Sequence, residues 1–368
     1  MIASGSTLTA LARADVQALP LYVPDSTACA VDVSDSVNLW GSPPAALGAL
    51  AATSVVASRY PSVYATPLRD AVLRYLAVSD RNDIEVVSGC GSDDVLDATM
   101  RAFGEPGDEI AFAAPTFSMI STFARLNSLA PVPVPMSSSY AVDPQRLVDR
   151  RAKITYLCTP NNPTSSALSR AAVDYVVQNA AGLVVIDEAY AEFAPETFSD
   201  LVTTSDRVLV TRTFSKAFGL AGLRVGYGIG HVGVMKPIMR ARGPYKVSAF
   251  AESAAVAALA DGPDALGWVA EHVALAVASR TRLAIELGSL GLFPAPAAGN
   301  FVFVPMAGAP AIAAAMSRGG VLVRALSGLP QDIPALAASG GQALRIGVGP
   351  WKMMERVLEA LVEALACA

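Results

Sequence analysis

Histidine, cysteine and charge are all scarce in this 368-residue chain, which has two His, four Cys and 16% charged residues. The cysteines, Cys29, Cys90, Cys158 and Cys367, are far apart and form no C-x-x-C pair. That spacing excludes a disulfide framework and, with only His231 and His272 to help, a zinc site. The thiols are expected to be small buried residues in a reducing, cytoplasmic setting. Lys and Arg never cluster and the net charge is -5, so no basic face is on offer to nucleic acid. Long apolar runs are missing too. Hydrophobic residues make up 53% of the chain, but they are Ala and Val spread along its length. No run approaches the ~18 uncharged residues of a membrane span. The opening MIASGSTLTALARADVQALP lacks a basic segment followed by an apolar core, so no secretory signal is expected. With so little charge, much of the surface must be Ala, Ser, Thr and Gly, a composition compatible with a sizeable oligomeric interface.

What is present is an alternation of short apolar runs with turns and helix-like stretches. The runs IEVV (84 to 87), EIAFA (109 to 113), PVPV (131 to 134), ITYL (154 to 157), LVVI (183 to 186), RVLVT (207 to 211) and VGYGI (225 to 229) read as strands. Most are apolar throughout, as in a sheet covered on both faces, which predicts one mainly parallel seven-stranded α/β sheet between helices. After GPYKVSAF (243 to 250) the texture changes to two Ala-rich helices broken at Gly262 and Pro263, then to NFVFVP, AIAAAMSRGG, VLVRAL, ALRIGVG and a closing helix from Trp351. This predicts a smaller α+β domain. The boundaries are a large domain over 46–246, and 1–45 with 247–368 as an amino-terminal arm and the small carboxy-terminal domain. The arm, weakly periodic and broken by prolines, is expected to pack on the small domain or on a partner subunit.

Reactive groups in such sheets belong just past the carboxyl ends of strands. In VVSGCGSDDVLDATM, Gly89 and Gly91 permit a tight turn into a helix starting near Ser92, whose amide groups would suit a phosphate; an ordinary capped βα turn explains the same string. LVVIDEAYAEF places Asp187 and Glu188 directly after an apolar strand, either to cap the next element or to face the crevice. LCTPNNPTSSALS reads as a turn. Lys216, in RTFSKAFGLAGLRVGYGIG, lies between Phe214 and Phe218 with no acid in the stretch. It could snorkel to water. Set beside Thr213, Ser215 and Arg224, it also fits a neutral amine held for imine chemistry next to a phosphate cup. Lysine, strand-end carboxylate and phosphate cup together specify pyridoxal 5'-phosphate.

The motifs SRYP, GCGSDD, RAFGEPGDEIAFAAPTF, PNNPT, VVIDEAYAEF, RTFSKAFGLAGLRVGY and ALRIGVG occur in order from about Asn38 to the carboxyl end. In this combination the chain resembles the fold-type-I pyridoxal-phosphate aminotransferases (class I/II), and most of all the histidinol-phosphate aminotransferase family. The resemblance implies that Lys216 attaches the cofactor covalently, Asp187 pairs with its ring nitrogen, and Tyr190 and Asn162 bond its phenolic oxygen. Phe117 would stack on the ring. The phosphate would be held by the backbone at Ser92 and Asp93, by Thr213, Ser215 and Arg224, and by Tyr60 from the second chain of a homodimer. Arg345 would grip a substrate carboxylate or phosphate, with Arg324 as a second anion ligand. The implied reaction moves an amino group from an amino acid or amino-alcohol phosphate to a 2-oxo acid such as 2-oxoglutarate, in ping-pong fashion through pyridoxamine phosphate.

Two departures lie on the substrate side, and the milder is Ser165, where glycine usually follows Asn-Pro-Thr. The family's Asn-Pro-Tyr-Gly aligns with Asn38, Leu39, Trp40 and Gly41, so an indole that donates but cannot accept stands where a phosphate-binding tyrosine is usual. A decarboxylase, lyase or cyclase on the same scaffold is the alternative this leaves open. A nicotinamide-dependent oxidoreductase would use the Gly89 to Gly91 turn, but Asp94 stands where its fingerprint needs a third small residue. A ligand-sensing regulator on this fold would need a DNA-binding segment, and none is legible.

Overall fold

The computed structural model describes residues 11–21, 27–54 and 58–367. Twelve strands are formed among them: β1 (Val31–Asp32), β2 (Ile84–Gly89), β3 (Glu109–Ala114), β4 (Ala130–Pro135), β5 (Ile154–Cys158), β6 (Leu183–Asp187), β7 (Val208–Thr213), β8 (Gly226–His231), β9 (Phe301–Pro305), β10 (Val321–Leu322), β11 (Arg324–Leu326) and β12 (Ala343–Gly347). β2 to β8 form a seven-stranded sheet in the order β2-β8-β7-β6-β5-β3-β4. Every pairing from β7 through β4 is parallel, and β8 runs antiparallel to both of its neighbours.

The reason these runs are strands is visible residue by residue. In β6, Val184 and Ile186 enter one apolar cluster while Leu183 and Val185 enter another, so successive side chains bury on opposite faces. β7 continues the pattern, with Val208 and Val210 on the first face and Leu209 on the second. A sheet covered on both sides thus appears in sequence as an unbroken apolar run. The second face is roofed by the helices Ser92–Phe103, Met119–Leu126 and Val232–Ala241, through Leu96, Ile120 and Ile238. Each such side chain removed from water contributes about 1.5–3 kcal/mol.

The later residues build a three-stranded antiparallel sheet, β11-β12-β9, and the small pair β1-β10. The amino-terminal segment divides its contacts. β1 pairs with β10, and Val33 exchanges backbone bonds with Leu322 and Gly347. Farther upstream, Arg13 reaches the Leu126 carbonyl (2.9 Å) and Ser128 (2.6 Å), beside the large sheet. No helix among the described residues is long and apolar enough to cross a membrane, and no metal-holding group of His, Cys, Asp and Glu occurs among them. The cysteines correct one expectation: Cys158 is buried and Cys29 half-buried, but Cys90 and Cys367 are exposed, because each lies at an element's edge rather than in an apolar run.

Candidate active site

The alternation that builds the sheet also builds the site. Tyr156 and Cys158 of β5, Asp187 of β6, and Thr211 and Thr213 of β7 share the parity of the second face and cluster at its carboxyl ends, with Cys158, Asp187 and Thr211 side by side in register. Asp187 is buried; it accepts the Tyr156 hydroxyl at 2.7 Å, the Ala189 amide at 3.2 Å and the Thr211 hydroxyl at 3.3 Å. Burial outweighs those donors and pushes its carboxyl up to about 6. The site therefore holds an acid that a cationic partner would stabilise in its charged form.

Above it the helix Ser92–Phe103 begins at Gly91, whose φ of 80° lies in the left-handed region. A side chain at Gly226 would collide with the Ser92 amide, so only glycine lets β8 carry the helix start this close. The first-turn amides of Ser92 and Asp93 have no partner within the helix and face the same space as Thr213, Ser215 and Arg224. Arg224, itself left-handed at φ 50°, donates to the Ser215 hydroxyl at 3.3 Å and stands 3.6 Å from Asp93. Burial raises Asp93, with Arg224 opposing. Amides, hydroxyls and a guanidinium converging on one point form an anion cradle.

Lys216 enters from the loop after β7. Its Nζ donates to the Asp35 backbone carbonyl at 2.9 Å and lies 5.5 Å from the centroid of the Tyr190 ring. Burial, reinforced by Arg345, lowers its ammonium to about 8, against the pull of Asp35 and Asp93. The loop is held by an overpass. A side chain at Gly219 would strike the Gly41 carbonyl, Ser42 Oγ donates to the Gly219 carbonyl at 2.8 Å, and Asn38 Nδ2 donates to the Ala217 carbonyl at 2.8 Å.

These groups line one cleft of about 290 Å³ that also takes in Phe117, Asn162, Tyr190 and Arg345. Tyr190 packs edge-on against Phe301 at 5.1 Å, and burial raises its phenol. Arg345 donates to Asn162 Oδ1 at 2.8 Å and to the Ser34 carbonyl at 2.6 Å. Four of the residues expected at the site are not among those lining this cleft, and one of them, Tyr60, is expected from the partner chain. Arg324 faces an adjoining outer cavity. Asn38 braces the lysine loop, and Trp40 lies beside it, partly buried against the main core. Tyr60 is 80% exposed and stacks on Tyr245 at 4.5 Å. Sequence reasoning missed Tyr156, which reads as core in ITYLC, and Asp35, whose segment is carried to the site by long-range pairings, β1 with β10 and Val33 with Gly347.

The family described as aminotransferase class I and II matches residues 32–361 of this chain. A histidinol-phosphate aminotransferase of Roseiflexus castenholzii is 35% identical, over 97% of this chain and 99% of its own. An aromatic amino acid aminotransferase of Mycobacterium bovis is 32% identical, over 81% and 86%. Among solved structures, histidinol-phosphate aminotransferase from Sinorhizobium meliloti, in complex with pyridoxal-5'-phosphate, superposes with a TM-score of 0.84 at 25% identity, covering 96% of this chain and 97% of that one.

Proposed function

The chain belongs to the aminotransferase class I and II family, and from that premise we propose that it holds pyridoxal 5'-phosphate in the 290 Å³ cleft and moves an amino group from an amino acid or amino-alcohol phosphate to a 2-oxo acid. The observation that carries the reading is Lys216: a buried amine lowered to about 8, bonded to a backbone carbonyl rather than a carboxylate, in one cleft with the buried Asp187 and the anion cradle. A carboxylate beside the amine would hold it charged, whereas attachment to an aldehyde needs it neutral. When bound, pyridoxal 5'-phosphate supplies that aldehyde and an electron-withdrawing ring.

The residues divide the work. The amides of Ser92 and Asp93, the Thr213 and Ser215 hydroxyls and Arg224 hold the phosphate. Asp187 keeps the proton on the ring nitrogen, gaining the counter-charge its burial lacks. Asn162 and Tyr190 orient the phenolic oxygen, and Phe117 covers one ring face. Once the substrate amine has displaced it from the aldehyde carbon, Lys216 Nζ is free to take the proton from the substrate Cα. Arg345, stiffened by Asn162 and Ser34, orients the substrate anion. Residues 46–246 form the cofactor-binding domain in this reading, with 1–45 and 247–368 as the amino-terminal arm and the small domain. Tyr60, exposed and outside the cleft of its own chain, serves the phosphate of a second copy in a homodimer.

The test is covalent mapping. After loading with pyridoxal 5'-phosphate and reduction with borohydride, the adduct is expected on the peptide containing Lys216 and absent in Lys216→Ala. An adduct on Lys246 or another lysine instead would overturn the assignment.

A further inference from the structure

The outer cavity next to the cleft is where the part of a donor beyond its reacting carbon must lie, and its one arginine beyond Arg345 and Arg224 is already engaged. Arg324 Nη2 donates to Asp35 Oδ1 at 2.6 Å, across the gap between the amino-terminal segment and β11. Arg324 is the more enclosed partner, with its side chain 20% exposed against 54% for Asp35. The same Asp35 gives its backbone carbonyl to Lys216, and the residue lines both cavities, at their junction. Beyond the pair the wall is mixed, with Phe117, Met119, Leu326, Leu329 and Pro330 beside the hydroxyls of Thr116, Ser118, Ser121 and Ser327.

We propose that Asp35 is a specificity-determining residue: by occupying Arg324 it selects an amino donor whose outer group is uncharged and apolar, an aromatic or large aliphatic α-amino acid, against phosphate monoesters. The inference rests on the aminotransferase reading of this site. A dianionic phosphate entering the outer cavity has to displace Asp35 from Arg324 or lie against its carboxylate, and like charges a few ångströms apart disfavour binding about tenfold even at a partly wet site. An apolar side chain meets neither cost and covers the apolar part of the wall. The acceptor uses the same space in the second half of the cycle, so the distal carboxylate of 2-oxoglutarate competes with Asp35 for Arg324 as well.

The experiment compares two probes with the same carboxylate stem on the cofactor-loaded enzyme, 3-phenylpropionate and 3-phosphonopropionate, whose distal groups are an apolar ring and a phosphate-like dianion, by calorimetry, in wild type and in Asp35→Asn. Wild type is expected to bind phenylpropionate about tenfold or more tightly than phosphonopropionate. Asp35→Asn is expected to tighten phosphonopropionate about tenfold, to change phenylpropionate far less, and to lower KM for 2-oxoglutarate. Tighter phosphonate binding by wild type, or a ratio that Asp35→Asn leaves unchanged, would overturn the proposal. If Asp35→Asn does not fold, Asp35→Ser replaces it, and the wild-type ratio alone decides. Because binding is read without turnover, a protein that discriminates the probes yet transfers no amino group from any donor refutes the aminotransferase reading and not the charge selection.

Discussion

The Tyr156 hydroxyl donates to Asp187 Oδ2 at 2.7 Å, and both side chains are buried beneath the cleft. This bond is the largest influence holding Asp187 down against its burial. In Tyr156→Phe the carboxyl therefore rises further, and it is less often charged when the ring nitrogen arrives. Losing a hydrogen bond to a charged group costs about 1.5–3 kcal/mol, so affinity for pyridoxal 5'-phosphate is expected to fall roughly tenfold or more. Spectroscopic titration of the cofactor-free protein measures it, with circular dichroism to show that the fold is kept.

The amine of Lys216 titrates near 8 in the cofactor-free protein, because burial and Arg345 disfavour its charge. Its reaction with trinitrobenzenesulfonate is expected to reach half its maximal rate near pH 8, well below an ordinary lysine. The sign for stability follows. Between about 8 and the unfolded value the unfolded chain binds more protons, so this group's contribution to stability rises with pH across that window. Mass-spectrometric quantification of the Lys216 peptide against the other lysine peptides tests the midpoint.

On the opposite face of the sheet, Glu188 follows Asp187 and Arg212 precedes Thr213, and the two form a buried ion pair with Nη2 to Oε2 at 2.7 Å. Glu188 Oε1 also accepts the Phe198 amide at 2.6 Å. The pair ties together the strand ends that carry the acid and the lysine loop. Glu188→Ala leaves a buried guanidinium without its anion and is expected to cost about 3–5 kcal/mol in urea unfolding. The double change Glu188→Ala with Arg212→Met should recover part of that loss.

If Tyr60 completes the cleft of a second copy, chains carrying Tyr60→Ala and chains carrying Lys216→Ala are each defective alone. Mixed after gentle dissociation, they are expected to regain activity in hybrid dimers that contain one intact site. Continued inactivity of verified hybrids would count against a contribution in trans.

The seven strands of the large sheet were legible because burial on both faces writes them as unbroken apolar runs, and the residues at their carboxyl ends were legible because polar groups stand out there. Lys216 announced itself by lacking an acidic neighbour in sequence. Tyr156 did not, since a tyrosine inside ITYLC looks like any core aromatic until the register sets it beside Asp187. Asp35 was hidden for a different reason. Its partners, Lys216 and Arg324, lie 181 and 289 residues away, and the pairings of β1 with β10 and of Val33 with Gly347 bring them together. Trp40, which alignment with a motif sets on the substrate side, stands beside the overpass of Asn38 and Ser42, partly buried against the main core.

The most direct test of the account is a half-reaction. Phenylalanine added to the cofactor-loaded enzyme, with no 2-oxo acid present, is expected to discharge the visible absorbance of the bound cofactor with one keto acid released per site, and 2-oxoglutarate added afterwards should restore it. Carbon dioxide or ammonia released over many turnovers without any 2-oxo acid would contradict it, as would undiminished keto-acid release by Lys216→Ala.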